Sequence, residues 1–317
     1  MHIAVLLHNG GVCLGIKKSH SFIFALLMFV VLLWGINVVM IKYLTKFYPP
    51  LALAPIRLFL ASCLLLPFVL YKQGLVKPSR TTMWHIIGVA TFSIFLHQIS
   101  LSWGISLTSS NHASLILALN PMLTTLLSSY VMKEPFTLAK AAGIMLGFGG
   151  VALVVSGAAQ GEASLLGDGI MFISTLAFVV GSLFVRKSTT ILSPLVVTAY
   201  SHTLASFGLL ITGFFFTPVW SYPGAFEPFP LLVLLFSSLV STALGALWWN
   251  MGIQQVGAAT ASLFLNGQPV VGIFAASLFL GEELYWIHYV ALVLVILGVS
   301  LGTGLIGRLP RRRLVDR

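Results

Sequence analysis

Few side chains in this sequence can do chemistry, and those that can are isolated among apolar neighbours. Arg57 stands seven residues into the run Leu51 to Tyr71, and His97-Gln98 lie in another run with Ser93 and Ser100 on either side. His202 falls near the middle of a third. A guanidinium there could draw in a substrate carboxylate or form a gating ion pair. It could equally snorkel to the nearer surface or make a structural contact between helices. Each histidine could carry a proton, or could simply be a hydrogen-bonded packing residue. His97 has the better claim to function, because its polar neighbours share its helix.

Two further places combine an amide side chain with a proline: Asn120-Pro121, and Asn266 followed by Gln268-Pro269. Proline lacks a backbone N–H, so Pro121 leaves the carbonyl of Leu117 without its helical partner, and Pro269 does the same to Leu265. One outcome is a packing kink. The other is a cavity in which Asn120, Asn266, Gln268 and the freed carbonyls meet a ligand or water. Trp34, Asn37, Trp103 and Trp248 are the remaining candidates for its wall, although tryptophan near the end of an apolar run is commonly an interfacial anchor. Glu134 and Glu282 stand at the ends of apolar runs, where they could take part in gating.

No Asp or Glu falls mid-run, so any proton relay would have to pass through histidine or through Glu134 and Glu282. Paired aspartates, a histidine-rich metal set or a serine beside histidine would suggest a membrane-embedded enzyme. The pattern offers none of these, and it implies neither metal nor cofactor. Cys13 and Cys63 are far apart, with no zinc or redox spacing.

These groups must be positioned by helices in lipid. Of 317 residues 58% are hydrophobic and 8% charged, against roughly 25% charged in soluble domains. Apolar runs of spanning length lie at about 22–41, 51–71, 84–104, 113–131, 138–156, 167–185, 194–216, 229–250, 260–280 and 286–306. Breakers such as Tyr48-Pro49-Pro50, Lys77-Pro78-Ser79 and Ser193-Pro194 separate them. Residues 1–21 read as a cytoplasmic leader and 307–317 as a basic cytoplasmic tail.

The net charge of +10 is spread between the runs and forms no single patch, which argues for loop charge and against nucleic acid. With the N-terminus inside, 14 of the 17 Lys and Arg residues fall in cytoplasmic segments and five of the seven acids fall outside. The positive-inside rule and the even number of spans both place the two termini in the cytoplasm.

A repeat organises the runs. Ala113-Ser114-Leu115-Ile116-Leu117 returns as Ala261-Ser262-Leu263-Phe264-Leu265, an offset of 148. At the same offset Pro121 meets Pro269, Glu134 meets Glu282, Gly104 meets Gly252 and Gly150 meets Gly298. Five spans per unit, over 22–156 and 167–306, would insert the second unit upside down. Such inverted repeats place a site near the midplane, where the units meet.

The stretch Ser110-Asn111-His112-Ala113-Ser114-Leu115 through Pro121 to Glu134 resembles the EamA family of the drug/metabolite transporter superfamily. So do Ala259-Thr260-Ala261-Ser262-Leu263 through Pro269 to Leu280-Gly281-Glu282, and the opening Trp34-Gly35, Asn37, Lys42 and Arg57. The resemblance runs from about residue 22 to 306. It implies a ten-helix exporter of small metabolites, with amino acids and related compounds as the usual cargo. Met132-Lys133-Glu134 departs from the family's common Leu-Gly-Glu, and His112 stands where a small residue is more typical.

The expectation is therefore an all-α protein of the inner or plasma membrane, with ten spans in two inverted five-helix repeats. It exports a small solute by alternating access, with lipid as its surroundings and protons as a candidate coupling ion. An importer or exchanger of sugar or nucleotide derivatives is the nearer rival, but phosphate cargo would call for a cluster of buried Lys or Arg, and Arg57 stands alone. The sequence leaves the oligomeric state open, and a monomer is compatible with it.

Overall fold

The computed structural model describes residues 20–132, 138–156, 164–216 and 224–302, and every regular element among them is helical. In lipid a backbone satisfies itself within helices or closed barrels, and these apolar runs take the helical solution. The first half carries α1 (His20–Leu44), α2 (Pro50–Gln73), α3 (Arg80–Gly88), α4 (His97–Leu107), α5 (Ser110–Leu117), α6 (Asn120–Met132) and α7 (Leu138–Ser156). The second carries α8 (Leu165–Thr189), α9 (Pro194–Phe216), α10 (Pro228–Leu235), α11 (Gly245–Val256), α12 (Ala258–Ser262), α13 (Gln268–Leu280) and α14 (Trp286–Gly302). Within the described residues each of the ten apolar runs falls mainly on helix, two of them interrupted by the breaks described below. Among the described residues, six stretches are long and apolar enough to cross a membrane. Most of the expected leader, all of the tail and Glu134 lie outside the described residues.

Two kinds of irregularity recur at the repeat offset. α3 and α4 are joined by a π-helical segment, Val89–Leu96, and α10 and α11 by another, Phe236–Leu244. There the amide of His97 reaches back to Phe92 and that of Gly245 to Val240, five residues each. The proline sites break the helix outright. α5 ends at Leu117 and α6 restarts at Asn120, while a 3-10 turn, Leu263–Gly267, separates α12 from α13. Pro121 and Pro269 thus stand second in a new helix, where the missing N–H costs nothing.

The packing repeats with the halves exchanged. α1 lies against α13 as α8 lies against α6, and α4 packs on α8 as α11 packs on α1. α2 meets its own counterpart α9, and α7 meets α14. The last pair can approach closely because of glycine. A Cβ on Gly298 would stand 2.5 Å from the amide nitrogen of Gly147, and one on its offset partner Gly150 would stand 3.0 Å from the Ala291 carbonyl. Small residues at a helix crossing let backbones touch in lipid.

Polarity is arranged inside out relative to a soluble domain. Phe22, Met28, Phe29, Phe59, Phe68, Trp84, Phe207 and Phe274 are exposed, whereas Asn37, Arg57, His97, Asn120, His202, Asn250 and Gln268 are buried. Lipid is the partner for the first set, and the interior holds the second.

Candidate functional site

The buried polar side chains converge on a cavity of about 770 Å³, counting its open mouth. α1 contributes Trp34, Asn37, Val38 and Ile41. The first π-helical segment and α4 contribute Val89, Ser93, Ile94, His97, Gln98 and Leu101. Leu117 and Asn120 approach from the first helix break, and Leu265 and Gln268 from the second. Phe178 of α8, His202 of α9, and Ser241, Thr242, Ala246, Trp249 and Asn250 of the α10–α11 rod complete the wall. Six pairs at the offset of 148 line it from both sides: Ser93/Ser241, Ile94/Thr242, Gln98/Ala246, Leu101/Trp249, Leu117/Leu265 and Asn120/Gln268. The frame is symmetric. The chemistry is not, because His97-Gln98 has Gly245-Ala246 as its counterpart at the offset of 148.

Hydrogen bonds set the orientation of these groups. Trp34 Nε1 donates to the Ser241 carbonyl (2.9 Å), and the Ser237 hydroxyl donates to Asn37 Oδ1 (2.6 Å), so both bonds tie α1 to the second half. His202 Nδ1 meets the Thr198 carbonyl at 2.8 Å. A carbonyl only accepts, so the proton is on Nδ1 and Nε2 keeps a lone pair. The Ser174 hydroxyl donates to the His97 carbonyl, and His97 Nδ1 lies 2.9 Å from Ser174 Oγ and 3.1 Å from the Ser174 carbonyl. His97 is therefore held as the same tautomer. Asn250 Nδ2 donates to Thr198 Oγ1 (2.8 Å), which leaves its Oδ1 open. Trp34 packs against Trp249 (5.2 Å between centroids) and edge-on to Phe178 (5.8 Å), and His97 lies 5.0 Å from Phe178.

Arg57 is 1% exposed behind this wall. Its Nη2 donates to Thr242 Oγ1 (2.8 Å) and its Nη1 to Gln98 Oε1 (3.3 Å), while Nε has no partner.

Of the residues expected at a central cavity, Trp34, Asn37, His97, Gln98, Asn120 and Gln268 come together, and His202 joins them. Trp103, Trp248 and Asn266 lie off the wall. Trp103 is 43% exposed, two residues round α4 from Leu101. Trp248 packs on Phe29, and its neighbour Trp249 turns inward. Asn266 sits in the 3-10 turn with a buried, unpartnered Oδ1. The π-helical segments reset the rotation of α4 and α11, so 3.6-residue spacing does not identify the inward face. The wall also includes Ser93, Phe178, Ser241, Thr242, Trp249 and Asn250. Ser93/Ser241 at the repeat offset was a usable signal, but Phe178 and Asn250 had none.

Glu282 lies away from the cavity and caps α5, accepting from the amides of Ser110 (2.9 Å) and Asn111 (3.1 Å). Beside it Asp168 accepts from Thr108 Oγ1 (2.6 Å) and lies 3.1 Å from His112 Nδ1, whose ring faces His288 at 6.4 Å. Lys42 reaches the Thr108 carbonyl (2.9 Å). Tyr285 in the same loop donates to Glu283, and that bond raises the phenol above its usual range. This cluster joins first-half to second-half residues at one end of the bundle. At the other end, Val76 and the Tyr200 hydroxyl exchange two bonds, and Ser193 bonds Gln73.

Comparison with known proteins gives this arrangement a family. The chain is 29% identical over 308 residues to the uncharacterized transporter YyaM of Bacillus subtilis, covering 92% of this chain and 97% of that one. An uncharacterized transporter of Archaeoglobus fulgidus is 26% identical over 266 residues, covering 84% and 93%. A protein of known crystal structure, 18% identical, superposes with a TM-score of 0.68 over 92% of this chain and all of its own, a likeness of fold alone. The EamA-like transporter family model matches residues 21–156 and again residues 165–303, and the chain belongs to that family of multi-pass membrane transporters of small molecules.

Proposed function

We propose that the chain exports a small metabolite across the plasma membrane, with amino acids and related compounds as the cargo class. In this reading ten spans form two inverted repeats, both termini are cytoplasmic, and the protein works as a transporter and not as an enzyme. The observation that carries it is the cavity walled by six offset pairs, with Asn120 and Gln268 standing opposite each other at the two helix breaks. A site on a pseudo-two-fold axis can face either side when the halves rock.

Alternating access requires contacts that form at one end and break at the other. The Thr108, His112, Asp168 and Glu282 cluster suits one such closure, since it crosses between halves and is built of bonds that water could replace. Trp34, Asn37, His97, Gln98, Asn120, His202 and Gln268 are proposed to contact cargo. Among the acids, Glu282 acts in the closure, and Asp168 joins it. Trp103, Trp248 and Asn266 support the fold from outside the wall. Protons remain the candidate coupling ion, and His97 and His202 offer the lone pairs to take them.

The test is counterflow in liposomes containing the purified protein, with labelled amino acids and other metabolites inside and out. Uptake of one class, lost in folded His97→Ala and Gln268→Ala variants, is the expected result. The same exchange in both variants overturns the site, and no exchange above empty liposomes overturns the transport assignment. Uptake driven only inward by a gradient would reverse the proposed direction.

A further inference from the structure

The cavity wall holds no Asp, Glu, Lys or Arg among the described residues, yet a guanidinium lies immediately behind it. We infer that the cavity selects organic carboxylates, the attraction coming from Arg57 through Gln98 and Thr242. The inference rests on the reading of this cavity as the transport site and names the chemical class of its cargo.

Arg57 is fully enclosed, and its hydrogen bonds go to neutral acceptors only. No carboxylate pairs with it among the described residues. A buried cation without a counter-ion is costly, and in a low dielectric its field reaches farther than in water. An anion entering the cavity would supply the missing charge. A cation with no carboxylate of its own would be repelled, because no acid among the described wall residues offsets Arg57, whereas the carboxylate of a zwitterion answers that charge.

The two bonds also orient the wall. A guanidinium has only donors, so Gln98 must turn Oε1 toward Arg57, and its NH2 is left for the cavity. Thr242 Oγ1 accepts from Arg57 and spends its own proton on the Ser237 carbonyl at 2.9 Å. Ser237 in turn spends its hydroxyl proton on Asn37 Oδ1, which leaves the Asn37 NH2 as a donor. Two amide donors thus stand ready for a carboxylate, backed by a positive charge. On the other side, His97 Nε2 and His202 Nε2 present lone pairs, because each Nδ1 is engaged with a carbonyl. These acceptors suit a hydroxyl or amino group on the same molecule. The site should therefore take 2-hydroxy acids and amino acids alike, and reject the corresponding amides and amines.

The experiment is ligand-induced thermal stabilisation of the purified full-length protein in nanodiscs, at neutral pH. The probes are matched acids and amides on one body: L-leucine, 2-hydroxy-4-methylpentanoate, leucinamide and isoamylamine. Alanine and phenylalanine sets follow with the same substitutions. The two acids of a body should bind within a few-fold of each other, with the amide and amine at least tenfold weaker. Arg57→Gln should remove that difference, and Arg57→Lys should keep most of it.

Should Arg57→Gln fail to fold, Gln98→Glu supplies the test without deleting the charge, because the new carboxylate pairs with Arg57 and cancels its field. That variant should remain folded and lose the preference for acids. Amides that bind as tightly as acids overturn the inference, as does no stabilisation by any acid of the three bodies. A preference that survives both Arg57→Gln and Gln98→Glu overturns it as well. Carboxylate binding without counterflow would leave this inference standing and sink the transport reading. Counterflow of leucinamide equal to that of leucine would do the reverse.

Discussion

Removing the Glu282 carboxylate should destabilise the protein through a helix 172 residues away in sequence. Its two oxygens take the first free amides of α5, Ser110 at 2.9 Å and Asn111 at 3.1 Å. A hydrogen bond to a charged group is worth about 1.5–3 kcal/mol net, and partial exposure of Glu282 argues for the lower end. The favourable placement of an anion at a helix N-terminus adds about 0.3–1 kcal/mol. Glu282→Ala should therefore cost about 3 kcal/mol, and Glu282→Gln, which keeps one neutral acceptor, about 1–2 kcal/mol. At roughly 2 °C per kcal/mol for a chain of this size, the alanine variant should unfold roughly 6 °C early. Tryptophan fluorescence during heating of the protein in detergent measures this directly. Glu283→Ala is the control: its exposed carboxylate bonds only Tyr285, and the midpoint should not move. An unchanged midpoint for Glu282→Ala would refute the capping argument, whatever the variant does in counterflow.

Asp168→Ala should cost about 3 kcal/mol, since it strands the Thr108 hydroxyl and His112 Nδ1 in a buried site; Asp168→Asn should cost less, and the same melting assay separates them. Gly298→Val should lower the midpoint by the equivalent of about 1–3 kcal/mol, because its Cβ would press on the Gly147 backbone. Gly149→Ala, which meets open space, should be neutral or slightly stabilising as alanine favours the helix. Trp249→Ala should enlarge the cavity between Trp34 and Phe178, shifting counterflow toward bulkier members of a homologous series; an unchanged size profile would place Trp249 outside the cargo path.

Much of the architecture was legible in the residues. Apolar runs bounded by Pro49-Pro50, Pro78-Ser79 and Ser193-Pro194 lie on the helices observed, because spanning length and breakers are local properties. The offset of 148 was legible as well, and the structure carries it into the twin π-helical segments and the twin breaks at Pro121 and Pro269. That the polar groups would be enclosed followed from their rarity in apolar runs, since lipid penalises each one.

Which groups meet was decided by the fold. Arg57 was visible as a buried charge with several possible roles. Its contacts with Gln98 and Thr242, 41 and 185 residues away, depend on how α2 docks against α4 and the second π-helical segment. Rotation about a helix axis is equally hidden. Leu101 faces the cavity where Trp103 does not, and Trp249 where Trp248 does not, because a few i→i+5 bonds turn everything beyond them. Glu282 was legible as a charge at a helix end, but that it caps α5 depends on the return of α13 beside that helix. Composition, breakers and repeat period act within one segment or at one offset, so the chain alone determined a membrane-embedded, duplicated, helical transporter. Side-chain partnership depends on packing between segments far apart in the chain, and the tertiary structure alone decided it.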